Sequence, residues 1–471
     1  MGYLNSADRL LVIAATVSLL VGSGCALQAP KRTPPSMPET FADQATAARG
    51  TWPGKDWYRA FGSSELDLLV AQAALDNLDL AAARARLAQA GARARQTGAA
   101  ILPQVDAGVG ADFYAGHSAS GSAHETDWSA LFSASYEVDF WGKNRAAVTS
   151  AKLLAAASRA DRDTVALTTL AGVANEYFEL LSLRERLKNM LANRDAARRL
   201  LDVVAARYEF GAANPSDLAA QRAALAAAEL NLPDLRQREE EALAALALLV
   251  GRPPEGFHVD GVPLDSLTEP RVAPGLPADL LLRRPDLSMA EANLGAADAD
   301  LVVARAALLP NLSLTAAGGM QNPAVQAAVV TLTGAGPTLN LGAGLIQTIF
   351  DGGRLRAVRA EVEARDEELV ATYRHAILAA LVDVETALAA IRHLDERREF
   401  EVENLTQSER ALQAAEARYQ QGAADLLAVL EAQRTLYAAR DQYSQYKLAR
   451  LQALVGLCKA LGGGWQTETA R

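Results

Sequence analysis

The chain is poor in cysteine, aromatic residues and positive charge, and has no long apolar run beyond its N-terminus. Cysteine occurs twice in 471 residues, at Cys25 and Cys458, so no disulfide framework can form. Aromatics make up 6% while apolar residues reach 50%, much of that share being alanine; this favours long, closely packed helices over a compact sandwich. After the N-terminus no stretch of about 18 or more apolar residues occurs, so no helical membrane span is expected in the mature chain. Forty-six Lys and Arg stand against 56 Asp and Glu, a net charge of -10, which argues against nucleic acid as a partner. His117, His124, His258, His375 and His393 lack metal-ligand spacing, and there is no zinc-protease helix, Walker loop or nucleophile elbow. Met37, Met190, Met289 and Met320 are too scattered for a metal relay. Neither an enzyme nor a bound cofactor is expected.

The N-terminus reads as a targeting segment. Arg9, an apolar run over residues 10–21 and the small residues Gly22, Ser23 and Gly24 form a signal peptide over 1–24. Cys25 follows directly, as in a bacterial lipoprotein box, where the thiol is lipidated and becomes the first residue; Gly22 stands where that box has leucine. An ordinary exported protein with an incidental cysteine is the alternative. Residues 25–56 carry Pro30, Pro34, Pro35, Pro38 and Pro53 and read as an extended tether that need not pack. Cys458 sits in an apolar helical context and reads as a small core residue.

What is present in abundance is repetition. Residues 206–213 read Ala-Arg-Tyr-Glu-Phe-Gly-Ala-Ala, and 211 residues later 417–424 read Ala-Arg-Tyr-Gln-Gln-Gly-Ala-Ala. Each copy lies between two Ala/Leu-rich stretches and is expected to be the tip of a helical hairpin. The first half, 57–250, runs as a helix over 65–102 stopped by Pro103, two strands within about 104–140 and a hairpin over about 143–250. Its long helix, 143–209, has 67 residues, roughly 100 Å at 1.5 Å per residue. Ser216 is expected to cap the helix that returns to Leu249, with Asp217 in its first turn. A proline-rich linker, 251–276, separates the halves, and 277–465 repeats the plan with strands within about 311–347 and a hairpin over about 354–461; 466–471 is a tail. The offset is 207 before the second pair of strands and 211 after it, so that strand hairpin is longer by four. Ile377, Leu381, Val384, Leu388 and Ile391 form a 4-3-4-3 seam typical of coiled coils. In each half the two short helices sum to about the length of the long one and, stacked end to end, would line it.

Four segments alternate with period two. Val105, Ala107, Val109, Ala111 and Phe113 share a side opposite Gln104, Asp106, Gly108, Gly110 and Asp112; a Gly/Ser/His-rich loop over 115–126 leads to Trp128, Ala130, Phe132, Ala134, Tyr136 and Val138. Leu312, Leu314 and Ala316, then Leu339, Leu341, Ala343 and Leu345, do the same in the second half. Four strands of about ten residues with an apolar face suit a transmembrane barrel but cannot close one, and lipid tolerates no open edge. Three copies would supply twelve strands. An amphipathic hairpin pair packed on a soluble core fits the strands equally well.

In order and spacing, several stretches resemble the bacterial outer-membrane efflux factors, the TolC-like exit ducts, in their lipoprotein branch. They are Cys25; Trp57 and Asn77-Leu78-Asp79-Leu80; Ser135-Tyr136-Glu137-Val138-Asp139; Arg284-Pro285-Asp286; Phe350-Asp351-Gly352-Gly353-Arg354-Leu355; Val429-Leu430-Glu431-Ala432-Gln433-Arg434; and Leu461-Gly462-Gly463-Gly464-Trp465. The resemblance covers essentially the whole mature chain. It implies a mainly α fold with a β-barrel portion: a homotrimer with a twelve-stranded outer-membrane barrel and an α-helical tunnel. It also implies a passive exit duct for drugs and toxic compounds in a tripartite efflux pump, partnered by a periplasmic adaptor, an inner-membrane transporter and outer-membrane lipid. It places Arg418, Tyr419, Leu427 and Glu431, with Asp217 from the first tip, at a periplasmic gate, and Gly211, Ala212, Gly422 and Ala423 against the adaptor. Under threefold symmetry Glu431 would form a carboxylate ring favouring cations; a solvated helix face is its alternative. Other readings of the chain are the duct of a copper or silver export system and a periplasmic coiled-coil scaffold without a channel. The first tip carries Asn214-Pro215-Ser216-Asp217, a rigid turn, whereas the second has Asp425-Leu426-Leu427-Ala428 and no proline, so the second is expected to move.

Overall fold

The computed structural model describes residues 37–41, 52–118, 121–321 and 338–465. The signal peptide, Cys25, most of the tether and the tail at 466–471 lie outside the described residues, as does the loop in which the second strand hairpin was expected to be longer. The elements, in chain order, are α1 (Ser64–Asp76), α2 (Leu78–Gly98), β1 (Gln104–Ser118), β2 (Gly121–Val138), α3 (Lys143–Glu209), α4 (Pro215–Leu249), α5 (Leu280–Arg283), α6 (Pro285–Ala306), β3 (Asn311–Gln321), β4 (Thr338–Ile346), α7 (Arg354–Gln420) and α8 (Leu426–Ala460). Among the described residues no helix is long and apolar enough to cross a membrane. The chain divides into two compact units, and both cut across the repeat: one takes residues 87–158 and 290–373, the other 35–86, 159–289 and 374–471.

The first unit contains the sheet. Its strands lie in the order β1-β2-β3-β4, all neighbours antiparallel. Register aligns the apolar positions across all four, from Val105 opposite Ala134, through Ala134 opposite Ala316, to Ala316 opposite Leu341. Because the side-chain period is two, this puts every apolar set on one face. That face is uncovered in the single chain: Val109 is 89% exposed, Leu341 76% and Phe132 68%. The loop expected over 115–126 is instead mostly strand, since Ala115 pairs with His124 and Ser118 with Gly121. Alternation reports which face is apolar, while pairing depends on the backbone, so a stretch polar on both faces continues a ladder that alternation cannot reveal.

Each long helix opens without an acidic residue in its first turn and with Lys143 and Arg145, or Arg354 and Arg356, at the positive end of its dipole. An aspartate just outside offsets this. Asp139 accepts from the backbone N–H groups of Asn144 and Arg145, both at 2.9 Å, and Asp351 accepts from Leu355 N–H at 2.9 Å. Partial burial acts to raise the pKa of Asp139, but these N–H groups and the Arg145 guanidinium outweigh it and hold the carboxyl below its ordinary range. A depressed folded pKa contributes stability above the unfolded value of about 3.9, lost as pH falls through the folded value. Asp139→Ala is therefore expected to cost about 1 kcal/mol at neutral pH and progressively less as the pH falls from the unfolded through the depressed folded pKa, as measured by thermal melts across pH.

In the second unit the expected helix over 65–102 is broken at Asn77, whose ψ of 128° is extended. Its Oδ1 accepts from Leu80 N–H at 2.9 Å and its Nδ2 donates to Leu249 O at 2.9 Å. Two hundred and seven residues on, Arg284 breaks the second half between α5 and α6 and donates to Ala460 O at 3.0 Å. Leu249 and Ala460 are themselves 211 apart and end α4 and α8. The short helices therefore meet end to end at two equivalent joints, where a side-chain N–H satisfies a carbonyl that the helix terminus leaves orphaned. The chain passes close to itself there. Gly251 and Gly462, with φ of 72° and 86°, have positions where a Cβ would lie 2.3 Å from Asp76 O and 1.8 Å from Arg283 O, so no side chain fits.

The tether, expected not to pack, is packed in part. Phe41 is 2% exposed and the Arg283 guanidinium lies 4.4 Å over the Trp52 ring, so part of the tether is docked. The 251–276 linker is pinned as well: Glu65 accepts from the N–H groups of Asp260 (2.7 Å) and Gly261 (2.9 Å), and Arg184 donates to Val259 O at 2.8 Å. Prolines remove donors and regular structure but leave carbonyls and flanking N–H groups that side chains can satisfy. The core around this strap holds Phe61, Leu66, Tyr177, Phe178, Leu180 and Leu246, all fully buried. In α7 the seam buries Ile377, Val384, Leu388 and Ile391, but Ala380 takes the place of the half-buried Leu381, because α-helical geometry drifts from a strict heptad.

Candidate functional site at the hairpin tips

Both tips end their long helix in the same way. Ala212 N–H donates to Arg207 O (2.7 Å) and Gly211 N–H to Tyr208 O (3.0 Å); Ala423 N–H donates to Arg418 O (2.8 Å) and Gly422 N–H to Tyr419 O (3.0 Å). This is the Schellman pattern, and it needs the left-handed backbone that Gly211 (φ 71°) and Gly422 (φ 72°) supply. The two helices that return start differently. Asn214, not Ser216, occupies the cap of α4: the helix begins at Pro215, whose fixed φ suits the first helical position, and Asp217 Oδ2 accepts from Asn214 N–H at 3.2 Å. In the second tip Asp425 caps α8 by accepting from Ala428 N–H at 3.0 Å.

The residues singled out from the sequence are placed as follows. Gly211, Ala212, Gly422 and Ala423 are exposed at the turns, and Glu431 is exposed on α8. Leu427 is 62% exposed, an apolar side chain offered to solvent one turn before Glu431. Arg418 is exposed and reaches back to Ala423 O at 3.4 Å, while Asp217 is occupied by its own turn. Tyr419 is the one brought to the other hairpin. The Arg207 guanidinium lies 4.5 Å from its ring centroid, a cation–π contact between the two tips. Arg207 is not among the residues picked out from the sequence, although it is the repeat-mate of Arg418 at the offset of 211. Arg207 and Tyr419 themselves help to line an open cleft of about 300 Å³ whose other walls include Leu200 and Val203 of α3, Glu416 of α7, and Val429 and Gln433 of α8.

The arrangement is a pair of Schellman turns with a cation–π contact between them. A family model described as outer membrane efflux protein matches residues 69–252 and 276–463, one block in each half of the chain. The chain belongs to the outer membrane efflux protein family. Among the relatives of this efflux protein is the pyoverdine export outer membrane protein OpmQ of Pseudomonas aeruginosa, 46% identical over 423 residues that cover 88% of each chain. The OpmQ of Pseudomonas putida is 41% identical over 450 residues, covering 93% of this chain and 95% of the relative. Among solved structures the outer-membrane channel OprN superposes with a TM-score of 0.86 at 27% identity, covering 94% of this efflux protein and 100% of that chain. These relatives are efflux and channel proteins, not enzymes. The efflux protein described here is an outer-membrane duct of an efflux system, mainly helical, with its sheet and its long helical hairpins in one chain.

Proposed function

We propose that three copies of the chain assemble into a passive exit duct with a twelve-stranded barrel and an α-helical tunnel. The observation that carries this reading is the four-stranded sheet with one continuous apolar face, in which β1 and β4 have no second neighbour among the described residues. Lipid tolerates neither unpaired backbone groups nor a partial barrel, and a closed ring of copies satisfies both the face and the edges. Cys25 anchors each copy by its lipid. A periplasmic adaptor grips the tips at Gly211, Ala212, Gly422 and Ala423, and an inner-membrane transporter supplies the cargo and the energy. The cargo is a small molecule; the relatives named for pyoverdine export make pyoverdine the first compound to test. The second tip moves on opening, carrying Arg418, Tyr419, Leu427 and Glu431, while the proline-capped first tip with Asp217 stays in place.

Extraction only in detergent, at the mass of three mature chains and with discrete conductance in planar bilayers, is the expected result. A detergent-free soluble protein would instead favour the scaffold. In the same bilayers Glu431→Gln is expected to lower cation over anion selectivity severalfold, because three carboxylates on one axis set the local potential. Unchanged selectivity removes the ring.

A further inference from the structure

We infer that the arginines around the end of the sheet where the helices attach bind anionic phospholipid headgroups in the periplasmic leaflet of the outer membrane. The inference deepens the duct reading above and rests on it, since it needs the apolar sheet face in lipid.

Pairing puts all four strand-to-helix connections at one end of the sheet: Gln104 opposes Ser135, Val138 opposes Leu312 and Asn311 opposes Ile346. There the chain changes character in one order. From β4 into α7, the exposed Leu341 and Leu345 give way to Ile349 and Phe350, 89% and 90% exposed, and then to Arg354, Arg356 and Arg359. From β2 into α3, Phe132 leads to Phe140 and Trp141 and then to Lys143 and Arg145. The end of α2 runs the series backwards, from Arg93 and Arg95 through the exposed Leu102 to Val105 and Val109. Half a bilayer has the same sequence of layers: hydrocarbon, an interface that favours aromatics, and phosphates in a headgroup layer about 5–8 Å deep. Residues 354 to 359 span about 8 Å of helix at 1.5 Å per residue, so these three arginines stand at phosphate depth.

Charge sets this end of the sheet apart from the rest of an acidic protein. Residues 93–103, 139–153, 300–310 and 347–364, the connections with their nearest helical turns, hold nine Lys and Arg against five Asp and Glu, whereas the whole chain carries -10. Of the five acids, Asp139 and Asp351 are held by backbone N–H groups and Glu363 by Arg359 at 2.9 Å. Arg93, Arg95 and Arg356 are exposed and have no hydrogen bond or ion pair among the described residues. A guanidinium fork matches two phosphate oxygens, and each cation held at an anionic membrane surface adds its own share of attraction. A zwitterionic headgroup offers no net charge to attract, so the belt selects by charge. It continues the apolar face of the sheet into the headgroup layer.

The lipid that stays with the protein tests this. Full-length protein is reconstituted into phosphatidylethanolamine vesicles with phosphatidylglycerol as the minor component, excised with its boundary lipid in polymer discs, and the lipid is counted by mass spectrometry. The parent is expected to enrich phosphatidylglycerol severalfold over the vesicle average. Arg93→Gln, Arg95→Gln and Arg356→Gln together should bring the ratio close to that average, each cation at the surface being worth roughly fivefold. Salt at about 1 M, where the screening length is only about 3 Å, should do the same to the parent. Arg222→Gln, Arg236→Gln and Arg410→Gln together, which neutralise three exposed arginines of the hairpins that also lack a partner among the described residues, should leave the enrichment intact. A parent without enrichment would overturn the belt, and so would equal enrichment by the parent and the belt variant. If the belt variant instead loses anion over cation selectivity in planar bilayers while its lipid ratio is unchanged, the arginines line the channel and the belt is again overturned. In each of these cases the duct still stands. A parent that does not enter the vesicles at all would overturn the duct and the belt together.

Discussion

Arg284→Met is expected to remove assembled duct from the membrane. Arg284 sits at the break between α5 and α6 with its side chain 10% exposed. Its Nε and Nη2 donate to the two oxygens of Asp286 at 3.0 and 2.7 Å, Nη2 also reaches Asp383 at 3.0 Å, and Nη1 takes Ala460 O at 3.0 Å. One guanidinium thus closes a helix joint and neutralises two carboxylates on separate helices, a task that needs its planar fork. Burial works against its charge, yet the bonds from Asp286 and Asp383 prevail and push its pKa above the ordinary value. Methionine fills much of the volume but takes this partner from Asp383 and the end of α8 and leaves Asp286 with only the Leu287 N–H at 3.0 Å. Breaking a buried pair from one side costs about 3–5 kcal/mol, and since Asp383 is half exposed the lower end applies. That is a large fraction of the roughly 5–15 kcal/mol that holds a domain folded. Arg284→Lys keeps the charge without the fork and should fall between. Arg305→Met, which loses only a 4.0 Å pair with Glu363, should change stability by less than about 0.5 kcal/mol. Denaturant midpoints and yields of oligomer from detergent extracts measure all three; equal midpoints for Arg284→Met and the parent would sink the argument.

The joints also mark where the sequence stops being legible. The long helices, the four strands and the two tips are local patterns, period 3.6, period 2 and a Schellman glycine, and each can be read without knowing what packs on it. The duplication is visible for the same reason. Asn77 and Arg284 hold the same place in the two halves yet look unrelated, because what recurs is a side-chain N–H aimed at a carbonyl more than 170 residues away. The linker fails to stand out for a similar reason: its partners Glu65, Arg184, Lys447 and Arg450 are ordinary surface residues in the sequence, and only the fold brings them to it. At the tips the sequence pairs Arg207 with Arg418 and Tyr208 with Tyr419 by repeat, which suggests two equal turns. The structure crosses them instead: Arg207 goes to Tyr419, Arg418 folds onto its own turn, and Tyr208 is left 41% exposed.

From that crossing comes the second large effect. Tyr419→Ala is expected to raise the open probability of the duct in planar bilayers by about 2- to 30-fold for each copy, the range that a cation–π contact worth roughly 0.5–2 kcal/mol implies. If the copies open together the factors multiply, so even the low end becomes an eightfold change, roughly, for three. Arg207→Ala removes the same contact from the other side and should match it, and the double variant should add little beyond either single one, because both act on one interaction. Tyr419→Phe decides the nature of the contact. The ring face is what Arg207 covers, so phenylalanine should keep the duct closed to within about twofold, whereas a latch working through the hydroxyl would open as fully as the alanine variant. Arg418→Ala is the counterpart by repeat; it loses a 3.4 Å bond to its own turn and should leave gating nearly unchanged. Equal opening by the Arg207 and Arg418 variants would mean that charge at the tips, rather than this one contact, holds the duct shut.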